Sequence, residues 1–318
     1  MVAAPPLRIV FFGTPAFAVP TLEALLRSRH PVVAVVSQPD RPKGRGQKLQ
    51  PTPTGAVATA AGVPLLQPER IRDEGFLEML RGLQPDLGVV AAYGKILPEP
   101  LLALPRLGLI NVHASLLPRY RGAAPVHRAV LNGDRVTGVT IMRLVRELDA
   151  GAMMAHAEHP VGPDDTSVDV ERALAALGAP LLLRVVEQLA AGTATEIPQD
   201  DGQATFAPKI LREEGQVDWE RPAAEIHNLV RGLQPWPLVS VRLDGTRHLL
   251  HRTAVVADTT AAPAGTVIAA AGDRLLAAAG DGGVIRILQI QPEGKRVLTA
   301  AEFLAGRRIP AGARFTRA

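Results

Sequence analysis

GLINVHASLLPRYRGAAP, residues 108–125, is the stretch from which the rest of the chain can be read. Its apolar start, residues 107–112, predicts a buried parallel strand. Asn111 and His113 stand two apart, so on a strand both side chains face the same way. Open α/β sheets bind their ligands beyond the carboxyl ends of the strands. An amide and an imidazole placed there point to a site that stabilises a developing oxyanion and moves a proton. Pro118 and Pro125 then fix the backbone, and Gly122 relaxes it.

A second stretch, VTIMRLVRELDAG at residues 139–151, places Asp149 after the next predicted strand, at its carboxyl end, where a partner for His113 belongs. Together the two stretches resemble the methionyl-tRNA formyltransferases. These belong to a wider family that takes formyl groups from 10-formyltetrahydrofolate. The Asn–x–His pair and the later Asp follow the wider family, whereas SLLPRYRGAAP is similar to the tRNA branch. FFGTPAFAVPTLEALL at residues 11–26 resembles the family's opening, and the resemblance runs nearly end to end.

The resemblance implies that Asn111, His113 and Asp149 carry catalysis. It implies folate contacts from Tyr93, Gly94 and Ile96 after one strand, and from Ser115, Leu116, Leu117 and Pro118 after the next. The formyl donor would be 10-formyltetrahydrofolate, used as co-substrate without a metal, and the acceptor methionyl-initiator-tRNA. No obligate protein partner is evident. Around Asp149 the chain departs from the family wording, which resembles MDxGLDTG. Val145 stands for an acid, Glu147 for a glycine and Ala150 for a threonine, while Asp149 and Gly151 remain. Glu147 is expected to matter most, because a glycine there can take a positive φ that glutamate resists.

Working outward, 318 residues are enough for about two domains with a good core. Hydrophobic content of 47% suits a globular protein, and no run approaches 18 charge-free apolar residues. MVAAPP lacks the regions of a signal peptide, so a cytoplasmic protein without a membrane partner is expected. The absence of cysteine excludes disulfides, thiol catalysis and thiolate metal sites. Two HxxH pairs, His156/His159 and His248/His251, fall in strand-like segments that split them to opposite faces, with no cysteine to complete a site. From Lys209 onward 15 Lys+Arg face 11 Asp+Glu, so the whole net charge of +4 lies in the last third. An excess of that size is compatible with an anionic partner and does not by itself identify one.

Residues 7–12 form an apolar strand ending at Gly13-Thr14-Pro15, with a helix over 18–28. Strand, glycine turn and helix open a doubly wound α/β sheet, but one glycine where a dinucleotide site needs three argues against NAD. Further strands are predicted at 32–37, 87–92, 136–144 and 153–161, the last antiparallel to its neighbour. Residues 38–53 carry Arg41, Lys43, Arg45 and Lys48 against Asp40 among prolines and glycines. This loop is expected to be too polar and punctuated for strand or helix, and to grip phosphates. By resemblance it enters the acceptor arm of tRNA.

Thr166 and Asp169 form a capping box for a helix over 168–191, expected to break or kink at Gly178-Ala179-Pro180 and to stop at Gly192. The expected layout is a catalytic domain over 1–192, a polar linker over 193–208, and a tRNA-binding domain over 209–318. In the last part, strands at 239–243, 248–254, 265–270, 275–279 and 284–290 suggest a small OB-like β-barrel. Two other readings fit less of the chain. A formyltransferase for a small amine or nucleotide would need neither basic loop nor barrel, and an RNA-binding protein with an inactive α/β domain would not need Asn111, His113 and Asp149.

Overall fold

The computed structural model describes residues 4–43, 48–310 and 312–318. Contacts divide the chain into two compact units. The first comprises Met1–Gly122, Thr137–His159 and Glu171–Phe206; the second comprises Ala123–Val136, Pro160–Val170 and Ala207–Ala318.

In the first half of the chain the strands are β1 (Ile9–Gly13), β2 (Val32–Val36), β3 (Arg41–Lys43), β4 (Lys48–Gln50), β5 (Leu65–Leu66), β6 (Leu87–Ala91), β7 (Leu109–His113), β8 (Arg121–Gly122), β9 (Val136–Arg143) and β10 (Met153–Pro160). The helices are α1 (Val19–Leu26), α2 (Pro53–Ala60), α3 (Glu74–Gly82), α4 (Glu99–Leu102), α5 (Pro125–Leu131) and α6 (Ser167–Ala191). Seven strands form one sheet in the order β10-β9-β7-β6-β1-β2-β5. β5, β2, β1, β6 and β7 run parallel, and the order reverses at β1, which opens a crevice at their carboxyl ends. All five residues of β1 and all five of β6 are buried, as expected of strands covered on both faces.

Three expectations change. β9 runs antiparallel to β7, with Asn111 opposite Met142 and His113 opposite Thr140. The carboxyl end of β9 therefore lies beside Ile110, and the loop after it must fold back along β7 to bring Asp149 to His113. Residues 38–53 are not wholly irregular. β3 and β4 pair as an antiparallel ribbon, Arg41 opposite Gln50, and an isolated ribbon can place Pro42 where no N–H is required. Asp40 anchors its base, accepting from the Thr52 amide at 3.1 Å and the Gln67 side chain at 2.7 Å.

The third change concerns α6, which runs unbroken through Pro180 for 25 residues. A Cβ at Gly178 would stand 2.9 Å from Val112 Cγ1, so this glycine lets the helix lie close on the sheet. Burial of Leu174, Leu182, Val185 and Val186 outweighs a proline penalty of about 3 kcal/mol. By length and composition α6 could cross a membrane, with a mean hydropathy of 1.5 over its most apolar window. Half of that window is buried inside the protein, the signature of a core helix.

β11 (Phe206–Ala207) and α7 (Ala223–Gly232) precede the strands β12 (Val239–Leu243), β13 (Thr246–Thr259), β14 (Val267–Ala271), β15 (Arg274–Ala278), β16 (Gly283–Pro292), β17 (Leu298–Thr299) and β18 (Phe315–Arg317), with α8 (Ala300–Ala305) before the last. The second sheet runs β14-β15-β16-β13-β12-β18, and β17 pairs with β16. Its two edges meet at a bridge between Thr266 and Arg314, where Val267 N donates to Ala313 O at 2.8 Å. The sheet thus curls into a small OB-like barrel around Val241, Leu250, Leu275, Ile285 and Ile287, with Trp219 stacked on Phe315 at 5.5 Å. The amphipathic α7 adds Ile226 and Val230 to the same core.

Candidate active site

On β7 the alternation of side chains sends Ile110 and Val112 towards α6 and leaves Leu109, Asn111 and His113 on the opposite face. Leu109 joins the apolar core with Val10, Phe12 and Val90. His113 is buried and Asn111 half-buried. Among the described residues the Asn111 amide has no hydrogen-bond partner, which leaves it available to a ligand.

His113 lies between the Tyr120 carbonyl and the Asp149 carboxylate. Its Nε2 lies 3.0 Å from the Tyr120 carbonyl, which fixes a proton on that nitrogen. Its Nδ1 lies 3.7 Å from Asp149 Oδ2. The Asp149 carboxylate is anchored by the Gly122 amide, which donates to Oδ2 at 2.8 Å. The loop carrying Asp149 is pinched at its base. Arg143 N donates to Ala152 O at 2.8 Å, and a Cβ at Gly151 would fall 1.8 Å from the Arg143 carbonyl, so only glycine fits there. The positive φ of this loop belongs to Asp149 itself, at 49°, and not to Glu147, which is exposed. The concern that glutamate strains position 147 is therefore removed.

The turn after β7 is tied internally. Ser115 Oγ donates to Arg119 O at 2.7 Å, Thr140 Oγ1 donates to Ser115 O at 2.7 Å, and Leu117 N donates to Thr140 Oγ1 at 3.1 Å. Ser115 and Leu117 point inward, and Leu116 packs beneath Gly138. Tyr93 also turns inward. Its ring meets Phe12 edge-on at 5.7 Å, its buried hydroxyl has no partner among the described residues, and burial pushes its pKa up to about 12. Its backbone carbonyl is turned the other way and accepts from Thr14 and Gln38 side chains.

Ile96 behaves differently. It is 78% exposed and lines a cavity of about 540 Å³ with Leu77, Leu97, Leu102, Arg72 and Arg146. That volume suits a small-molecule site, and its walls combine apolar side chains with a few charged ones. Of the residues expected to hold folate, only Ile96 lines this cavity; Arg146, three residues before Asp149, is an addition the sequence reading missed. Among the basic residues expected to hold tRNA, Arg41 is exposed on β3. Arg45 and the side chains of Lys43 and Lys48 lie outside the described residues. Among the described residues no cluster of three or more metal-ligating side chains occurs.

The doubly wound sheet gathers an amide, an imidazole and a carboxylate at one strand end, groups able to stabilise an oxyanion and move a proton in acyl transfer. Comparison with known proteins sharpens this. The formyl transferase family profile matches residues 7–186, and that of the formyl transferase C-terminal domain matches residues 209–308. The chain is 46% identical over 308 residues to a methionyl-tRNA formyltransferase of Methylococcus capsulatus, covering 95% of this chain and 99% of the relative. It is 44% identical over 300 residues to that of Moorella thermoacetica, covering 94% of this chain and 96% of the relative. The chain belongs to the methionyl-tRNA formyltransferase family. Among solved structures, an N-formyltransferase from Helicobacter canadensis, determined with folinic acid and dTDP-3-aminofucose, shares the fold. It superposes with a TM-score of 0.70 at 17% identity, covering 90% of this chain and 99% of that one.

Proposed function

We propose that this protein transfers the formyl group of 10-formyltetrahydrofolate to the amino group of methionyl-initiator-tRNA, with Asn111, His113 and Asp149 as the catalytic residues. The observation that carries the residue assignment is the approach of Asp149 Oδ2 to within 3.7 Å of His113 Nδ1, across 36 positions of sequence, beside an unpartnered Asn111 amide. In the reaction the amine nitrogen bonds to the formyl carbon, the bond from that carbon to the folate nitrogen breaks, and one proton passes from the amine to the departing nitrogen. Asn111 donates its side-chain N–H to the developing oxyanion; removing such a donor costs about 3–4 kcal/mol where tested. His113, with Asp149 beside Nδ1, holds and relays the proton.

The cavity beside Ile96 and Arg146 is the place assigned to the donor's ring system, with Leu77, Leu97 and Leu102 as apolar walls. Tyr93 packs in one apolar cluster with Leu77 and Leu97 of this wall, and further donor contacts are assigned to Gly94, Ser115, Leu116, Leu117 and Pro118 on the family resemblance. The ribbon bearing Arg41 and the basic barrel are assigned to the tRNA, in a layout of catalytic domain, connecting segment and tRNA-binding domain. The site of action is the cytoplasm, where initiator tRNA is charged. The test compares formyl transfer from 10-formyltetrahydrofolate to charged initiator tRNA, free methionine and small amines. Strong preference for the charged tRNA supports the reading, and preference for a small amine overturns it.

A further inference from the structure

The segment between α6 and β11 lies in the polar linker expected over 193–208, and it ties the two loops that carry the catalytic groups. Gln199 Nε2 donates to two carbonyls, Asp149 O and Gly151 O, both at 2.8 Å. Its Oε1 accepts from Arg121 Nε at 3.0 Å, and Arg121 Nη2 reaches Asp201 Oδ1 at 2.6 Å. Arg121 is itself buried, at 6% exposure, and its backbone N–H donates to Thr205 O at 2.8 Å. Thr205 Oγ1 accepts from Tyr120 N at 2.9 Å, and Tyr120 is the residue whose carbonyl holds His113 Nε2. One strap of seven residues, 199–205, therefore grips both the Asp149 loop and the turn that anchors His113.

We infer that Gln199 is a positioning residue: held by Arg121, its amide sets the backbone of Asp149 and so the placement of the carboxylate against His113. The inference rests on the catalytic assignment of Asp149 made above. The orientation of the amide is decided by its partners. A guanidinium can only donate, so Oε1 must face Arg121, and both N–H groups must then face the two carbonyls. Asp149 has need of such a clamp, because a non-glycine residue at φ 49° is held there by its surroundings. Asp201 pairs with the buried Arg121 guanidinium from an exposed position, whereas Gln199 acts at the loop itself.

Gln199→Glu is isosteric and keeps the acceptor for Arg121, but it turns an oxygen on two carbonyls and loses both donated bonds. A loop displaced by about 1 Å can lose roughly a hundredfold in rate. The experiment measures single-turnover kcat, KM for both substrates and Tm for Gln199→Glu, Gln199→Ala, Asp201→Ala and Asp149→Asn, and for Gln199→Glu combined with Asp149→Asn. Positioning predicts that both Gln199 variants lose roughly tenfold to a hundredfold in kcat, with KM changed less than about threefold. Asp201→Ala, which removes one partner of the buried Arg121, should lose less in kcat than either Gln199 variant. In the Asp149→Asn background Gln199→Glu should cost little more, because the residue it positions no longer carries its charge. Full additivity, an unchanged kcat, or a loss confined to KM overturns the inference while leaving Asp149 in place. Near-normal turnover by Asp149→Asn alone would instead overturn the catalytic assignment, and the positioning role with it.

Discussion

Asp149→Asn changes one charge and almost no shape. The Gly122 N–H donates at 2.8 Å to the same oxygen, Oδ2, that faces His113 Nδ1, so the new amide keeps its oxygen at that position. The contact to the turn is kept, and the negative charge beside the ring is lost. A carboxylate 3.7 Å from a charged imidazole, both side chains less than 15% exposed, is worth about 4 kcal/mol at an effective dielectric of about 20. If the positive ring forms only as the amine attacks, most of that attraction is lost from the transition state. The expected fall in kcat is two to three orders of magnitude, roughly a thousandfold at the upper limit. Donor affinity should change less than about threefold, since Asp149 does not line the cavity. Single-turnover quench of labelled formyl donor on charged tRNA, with equilibrium binding of the donor alongside, separates the two. A rate within about fivefold of the parent, or a loss seen only in tRNA affinity, would refute the electrostatic role.

Other variants probe the surroundings. Asn111→Ala should lower kcat by about a hundredfold or more with Tm nearly unchanged, because its amide has no structural partner to lose; a normal rate would move the oxyanion site elsewhere. Glu147→Gly should leave activity close to the parent, since Glu147 is exposed and needs no positive φ, and a collapse would reveal a contact made only with substrate. Gly178→Ala forces a methyl to 2.9 Å from Val112 and should destabilise by about 1–3 kcal/mol, read as a lower urea midpoint; an unchanged midpoint would mean that α6 shifts freely. Glu187 is held down to about pKa 2, chiefly by its hydrogen bond from Arg29 and further by His30. Its folded pKa lies below the unfolded one, so the contribution is full above about pH 4.5 and fades as pH falls towards 2. Glu187→Gln should accordingly be less stable than the parent at pH 7 and converge with it near pH 2; a gap that persists there contradicts the linkage.

The parts of the site carried by local sequence were the legible ones. Apolar runs at β1, β6 and β7 announce buried strands, and the two-residue spacing of Asn111 and His113 fixes their common face. The capping box of α6 forms as expected, with Thr166 N donating to Asp169 Oδ2 at 3.1 Å, and Gly192 follows the helix at φ 69°. What was lost depends on partners far away in sequence. Nothing within β9 says that it runs antiparallel to β7, because strand direction is set by the pairing and not by the residues. Pro180 reads as a breaker until the burial of the α6 face is weighed against it. Tyr93 follows β6 with its ring packed against Phe12, an orientation its sequence position alone does not reveal. Gln199 was invisible because its segment has no periodicity and works through side-chain bonds to backbone carbonyls.

His113 carries the central step, its ring placed by Tyr120 and Asp149 and packed at only 5% exposure. The decisive measurement is the single-turnover rate of formyl transfer to methionyl-initiator-tRNA by His113→Ala, taken on protein whose circular dichroism and donor binding match the parent. The account predicts a loss of at least about a hundredfold, with the tRNA still bound. Transfer at near the parental rate by that folded, donor-competent variant would contradict it.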